Sequence, residues 1–244
     1  MKIYSVLQIG TFHTNHCEDF FVNAQFGAEQ QLVAVLDGCS TGTESAFASM
    51  LFGKILRQIA KKQYYLEFTT GQTLDLKQGL ALVMRQLFEQ AAQAKNSLGL
   101  DTKELLSTIV LSLVDMKAHT AEVIVVGDGL VYWDGEAIEY DQDNRPDYLG
   151  YHLAEDFDLW YQQQRQKLSI DEFNNLAFST DGIFTFKPVT RRIAQRPEAD
   201  MVSFLLADHE YMEHPNFLER KVRFIQDEWK HQNSDDLAIV RLMT

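Results

Sequence analysis

Four aspartates stand where an apolar run gives way to a turn. They are Asp37 in Val33-Ala34-Val35-Leu36-Asp37-Gly38, Asp128 in Val125-Val126-Gly127-Asp128-Gly129, Asp181 in Phe178-Ser179-Thr180-Asp181-Gly182, and Asp235 ahead of Leu237-Ala238-Ile239-Val240. Glu18-Asp19 precedes the aromatic run Phe20-Phe21-Val22 in the same way. An apolar run closed by Asp-Gly reads as a buried strand that delivers a carboxylate to a turn. Taken singly, such an aspartate is usually a capping or solvated turn residue. Taken together, on strands lying side by side, these carboxylates converge on one sheet edge. Their mutual repulsion would then raise their pKa values or oppose folding unless cations are bound. An all-oxygen donor set without Cys or His at zinc spacing suits Mg²⁺ or Mn²⁺. Two such ions sharing a carboxylate can hold a water between them, lower its pKa and aim it at phosphorus.

The elements that must position these acids follow from periodicity. Lys2 to Ile9 alternates as a strand that Gly10 ends, and Thr11 to Cys17 is a polar loop. A helix is expected from about Ser45 to Ala60, with Phe47, Met50, Leu51, Ile55 and Ile59 on its apolar stripe. After a break at Thr69–Gln72, a second helix carries Leu80, Val83, Met84, Leu87, Phe88 and Ala91 at i, i+3, i+4, i+7 spacing. Leu105–Val114 and Ala121–Val126 read as a hairpin, and Asp134-Gly135 marks a second, two-residue hairpin turn. The polar loop from Asp141 to Gly150 is either solvated surface or the rim of a site. Helices are expected over Glu198–Ala207 and through Leu218, Val222, Ile225 and Trp229, ahead of the closing strand.

Composition bounds the function. The chain has 244 residues with 45% hydrophobic content, enough for one sizeable core, and shows no linker or repeat. A formal charge of −13 argues against nucleic acid or an anionic membrane as partner. Two cysteines provide no disulfide framework, which fits a reducing, cytoplasmic setting. The apolar run at Met1–Val6 is too short for a signal peptide, and no window reaches the length of a membrane span. Neither Cys17 nor Cys39 has an arginine five residues past it, so a thiolate-based phosphatase loop is absent.

The order of segments resembles the metal-dependent type 2C (PPM-type) protein serine/threonine phosphatase family, as a divergent, bacterial-like member. The matching pieces are Cys17-Glu18-Asp19-Phe20, Val35-Leu36-Asp37-Gly38, Ser107-Thr108, Val126-Gly127-Asp128-Gly129, Ser179-Thr180-Asp181-Gly182 and Asp235-Asp236-Leu237-Ala238. They run in family order across nearly the whole chain. The resemblance implies an α+β, four-layer αββα sandwich over residues 1–244, two antiparallel sheets flanked by helices. It implies that Asp37 bridges two metal ions, that the Gly38 carbonyl binds the second, and that Asp181 and Asp235 bind the first. Glu18 and Asp19 would hold metal-bound waters, and Asp128 would help bind a third, weaker ion. Asp235 is the ligand in this reading and Asp236 its neighbour.

Some family features are altered. The arginine that grips the substrate phosphate, four residues before the glutamate, is replaced by Thr14, with His13 and His16 beside it. A protonated imidazole can hydrogen-bond a phosphate oxygen, so His13 and His16 are candidates for that role beside the catalytic Asp37. Cys39 stands where many members have a histidine, Ser40-Thr41 replaces a glycine pair, and Leu130 lies where a further arginine is usual. The resemblance implies hydrolysis of phosphoserine or phosphothreonine esters by a metal-bound hydroxide. The substrate would be a phosphorylated protein, with room for a cognate kinase as partner. The alternative is a catalytically silent relative that binds a phosphorylated partner or senses a ligand.

Overall fold

Residues 1–13, 15–42, 44–142 and 145–244 are described by the computed structural model. In chain order the strands are β1 (Lys2–Gln8), β2 (Phe20–Gln25), β3 (Gln30–Gly38), β4 (Ser107–Asp115), β5 (Thr120–Val126), β6 (Gly129–Trp133), β7 (Glu136–Tyr140), β8 (Lys167–Ile170), β9 (Asn175–Ser179), β10 (Phe186–Pro188), β11 (His231–Asn233) and β12 (Leu237–Met243). The helices are α1 (Phe47–Thr70), α2 (Leu76–Leu98), α3 (Leu149–His152), α4 (Phe157–Gln163), α5 (Glu198–Val202) and α6 (Phe217–Asp227). Two five-stranded sheets form, ordered β2-β3-β4-β5-β8 and β1-β12-β9-β6-β7, with every neighbouring pair antiparallel. A small β10-β11 pair lies apart from them.

Side chains alternate across a strand, and the two faces of β3 show what that achieves. Leu32, Ala34 and Leu36 pack under α1 and α2, against Phe52, Leu56, Val83 and Leu87. Val33 and Val35 face the other sheet and meet Phe178 and Val240 between the layers. The far face of the second sheet packs Val6, Ala177 and Ile239 against Leu205, Leu218 and Val222. Three apolar seams thus separate four layers, helices outside two face-to-face sheets, as the resemblance implies. Each fully buried Leu, Ile or Phe in these seams contributes about 1.5–3 kcal/mol relative to exposure.

Three details differ from the periodicity. Helix α1 continues to Thr70, where Gly71 adopts a left-handed conformation and donates its N–H to the Glu67 carbonyl. After Ala60 the chain exposes Tyr65, Leu66 and Phe68 instead of burying them, so no apolar stripe marks the helix's continuation. Its buried face includes Phe52 and Leu56 instead of Met50, which is 39% exposed. Strand β8 has four residues at a sheet edge, too few to show a period. No helix among the described residues is long and apolar enough to cross a membrane.

Candidate active site

The strand ends named above meet at one mouth. Asp37 and Gly38 end β3, opposite Thr108 and Ser107 of β4. Asp128 lies in the turn between β5 and β6, Asp181 opens the 3₁₀ turn after β9, and Asp235 precedes β12. Glu18, Asp37, Gly38, Asp128, Asp181 and Asp235 together line a cleft of about 580 Å³. Asp19 lies beneath it: its Oδ2 accepts from Thr180 Oγ1 at 2.6 Å, and its carboxyl is hydrogen-bonded to that of Asp37. Gly182 allows the close approach of two chains here, since a Cβ on it would stand 1.7 Å from the Asp236 carbonyl oxygen.

The electrostatics follow from packing like charges. Burial, then the neighbouring Asp19 and Asp181, push Asp37 well above the usual carboxylate range. Burial does the same to Asp19. Asp181 is raised to about 6 by burial and by Asp235 and Asp128. One proton shared between Asp19 and Asp37 is how adjacent carboxylates relieve repulsion when nothing else neutralises them.

Asp236 turns away from the cleft and fastens its wall. Its carboxylate accepts from Gly10 N at 2.6 Å and from Glu18 N at 2.5 Å. His13 Nδ1 lies 2.9 Å from Asp236 Oδ2, and its Nε2 is 3.7 Å from Glu18 Oε1. Burial opposes protonation of His13, but the hydrogen bond and charge of Asp236, with Glu18 and Asp235, outweigh it and raise the pKa. His13 is therefore engaged with the acids. His16 lines a neighbouring groove with Cys17, Phe47 and Met50, and neither histidine lines the carboxylate cleft. Thr14, whose position bears on phosphate binding, lies outside the described residues. Burial, then Asp19 and Asp236, push the Cys17 thiol far above its usual range, so it offers no nucleophile.

The family model for protein phosphatase 2C matches residues 10–238, almost the entire chain and a span that includes the strand-end acids described above. The chain belongs to the protein phosphatase 2C family. Solved structures agree at the level of fold. The serine/threonine phosphatase Stp1 from Staphylococcus aureus is 12% identical, with a TM-score of 0.64 over 100% of this chain and 94% of that one. The PP2C domain of SiaA from Pseudomonas aeruginosa is 16% identical, with a TM-score of 0.59 over 99% of this chain and 85% of that one. RsbX, solved in complex with magnesium, is 11% identical, with a TM-score of 0.53 over 98% and 92% of the two chains. A comparison with curated proteins found no match.

Within this phosphatase 2C fold, the cleft's donors suit a hard divalent cation: five carboxylates and a glycine carbonyl, with no histidine lining the cleft. Their raised pKa values mark a site whose charge a cation would relieve. Among the described residues, no three His, Cys, Asp or Glu side chains are spaced to hold one ion as they stand. The Asp19–Asp37 hydrogen bond, which draws the two acids together, fits that closed-up arrangement.

Sequence reasoning left several contributors out. Arg145 and Tyr148 also line the cleft, reaching it from the 141–150 segment, as does Tyr151 from α3. The Asp/Asn-rich polarity of that segment was the only available sign of a rim. Its tethers are long-range: Gln142 Nε2 donates to Gln166 Oε1 at 3.3 Å, and Gln166 Nε2 donates to the Gly127 carbonyl at 3.1 Å. Gly127, at φ +84°, lies so close under the loop that a Cβ would stand 3.1 Å from the Asp147 carbonyl.

Proposed function

We propose that this protein is a metal-dependent phosphatase that hydrolyses phosphoserine and phosphothreonine esters on a protein substrate. The gathering of Glu18, Asp37, Asp128, Asp181 and Asp235 around one cleft is the observation that supports this reading. In it, Asp37 would serve two divalent cations, Mg²⁺ or Mn²⁺, between which it would be shared. The Gly38 carbonyl serves the second, and Asp181 and Asp235 serve the first. Glu18 and Asp19 hold their waters, and Asp128 serves a third, weaker ion. When bound, such ions lower the pKa of a water and neutralise charge on the phosphoryl group.

The chain's own residues supply placement. Strand ends fix the oxygens, because β3, β9 and β12 are locked into ladders on both sides. Thr180 holds Asp19, and Asp236 holds the backbone of Glu18. His13 keeps Asp236 and Glu18 in register, so we assign it to the wall of the site. Two unpaired cysteines, Cys17 and Cys39, suit work in the cytoplasm, where a kinase that writes the modification is the natural counterpart.

A second reading, a silent relative that binds a phosphorylated partner, is favoured by one observation: Thr14, Cys39 and Leu130 stand where the family's phosphate-handling residues are expected. Turnover of a generic aryl phosphate with and without Mn²⁺ separates the two. Mn²⁺-dependent release of the phenol supports the enzyme, and binding without turnover supports the silent relative.

A further inference from the structure

A phosphate monoester carries close to two negative charges at neutral pH, and five of the residues lining the cleft are carboxylates. Among the described lining residues, one side chain carries a permanent positive charge, that of Arg145. We propose that Arg145 is the residue that binds the substrate's phosphate, through a guanidinium fork presented from the loop after β7. The proposal rests on the phosphatase reading above and names the residue that orients its substrate.

The backbone on either side of Arg145 is fastened to the rest of the fold. Pro146 restricts the backbone of Arg145 to extended conformations. Arg145 N donates to the Gln142 carbonyl at 3.1 Å, and Gln142 Oε1 accepts from Asp147 N at 2.5 Å. Through Gln166, Gln142 is tied to Gly127, the residue before Asp128. On the other side of Arg145, Asp147 Oδ1 lies 2.7 Å from His152 Nε2, and the His152 ring lies 5.6 Å from that of the buried Trp160. Tyr148 reaches across the cleft to the thiol of Cys39, two residues past Asp37. The segment is thus fastened at Gly127, at Trp160 and at Cys39. With its backbone anchored at the rim, the exposed guanidinium of Arg145 can offer paired donors to two phosphate oxygens. Histidine does not compete for the role, because His13 is engaged with Asp236 and His16 faces the adjoining groove.

The test measures binding of inorganic phosphate by calorimetry to the full chain, with and without Mn²⁺, alongside steady-state kinetics on a phosphoserine peptide. Arg145→Ala is expected to weaken phosphate binding by about 10- to 100-fold. It should raise KM for the peptide by a similar factor while the Mn²⁺ stoichiometry and thermal midpoint stay as in wild type. Arg145→Lys should recover part of the affinity, since it restores the charge but not the fork. Phosphate affinity within twofold of wild type in Arg145→Ala overturns the assignment. Loss of peptide affinity alone, with phosphate unaffected, also overturns it, because the arginine would then read the peptide. Wild type that binds phosphate through Arg145 yet never turns over the peptide contradicts the enzymatic reading and leaves the arginine's role standing.

Discussion

Strand β12 joins two regions that handle buried charge in opposite ways. Asp235 and Asp236 lie just before it, at the cleft, and Arg241 lies near its far end, wholly buried. At the far end every group finds a protein partner. Arg241 Nε donates to Asn175 Oδ1 at 2.8 Å, Nη1 to the carbonyls of Leu205 and Asp208 at 3.0 and 2.9 Å, and Nη2 to that of Ala207 at 3.2 Å. Buried Lys221 pairs with the Asp208 carboxylate beside it. Burial lowers Arg241 only to about 10, so it stays charged at neutral pH. At the cleft the acids crowd one another, and their pKa values rise. One region is finished by folding, whereas the other is left to be completed by something that arrives later. A buried charge surrounded by donors or acceptors holds a fold together. Buried like charges at a cleft mark where function costs stability.

Breaking the acid proposed to bridge the cations in the first region should have the largest effect. Asp37→Asn is expected to reduce Mn²⁺-dependent turnover to background and to weaken Mn²⁺ binding more than about 100-fold. It should also raise the thermal midpoint in EDTA by a few degrees, since a repelling carboxylate is gone. Calorimetry showing unchanged Mn²⁺ binding would remove Asp37 from the site. In the second region, Arg241→Met leaves three carbonyls and Asn175 without their donor. It should cost about 3–5 kcal/mol in urea unfolding while leaving Mn²⁺ affinity intact. A loss below about 1 kcal/mol would show that Arg241 is dispensable.

The acids also set a pH dependence. Asp19, Asp37 and Asp181 have folded pKa values above the ordinary carboxylate value of 3.8. Between the unfolded and folded values the folded chain holds more protons, so stability falls as pH rises. For Asp181 that window runs from about 4 to about 6, and Asp19 and Asp37 extend it upward. In EDTA the thermal midpoint at pH 5 should exceed that at pH 8 by about 5 °C or more, and Mn²⁺ should narrow the gap. A midpoint that climbs with pH in EDTA contradicts the crowded-acid account.

Much of the cleft was legible because Asp37, Asp128 and Asp181 follow a local rule, an apolar strand and then Asp and Gly, while Asp235 stands just ahead of one. Sheet register did the rest, carrying Asp37, Asp128, Asp181 and Asp235 to one mouth. Arg145 and Arg241 were illegible for a shared reason. Arg145 reaches the cleft through glutamine contacts to Gly127 and Gln166, and Arg241 is satisfied by carbonyls more than thirty residues away in sequence. Neither relation leaves a spacing to read. Arg241 is the one charged residue in an otherwise apolar strand whose seven residues are all buried, and by residue type alone it would pass for solvent-facing. Met50 misled for a different reason: a stripe drawn at helical spacing locates a face only to within about one residue's rotation.

Smaller effects sharpen the contrast. Asp128 lies between glycines, so its carboxylate is less firmly held than those on strand ends. Asp128→Ala should keep two tight Mn²⁺ ions and lower kcat about tenfold at subsaturating metal. Loss of both tight ions would make it a core ligand, and an unchanged kcat would make it structural. His13→Ala combined with His16→Ala should leave KM within twofold, because His13 is engaged with Asp236 and Glu18 and His16 lines the adjoining groove. A rise in KM that grows at acid pH would return the phosphate to the histidines.

The central claim is that the crowded acids form a cation-dependent phosphatase site. Phosphate release from a phosphoserine peptide, measured across a Mn²⁺ titration and in EDTA for wild type and Asp37→Asn, tests it most directly. The account predicts release that rises with Mn²⁺, vanishes in EDTA and is absent from Asp37→Asn at every concentration. Release that persists in EDTA, or its absence from wild type at saturating Mn²⁺ and Mg²⁺ alike, would contradict it.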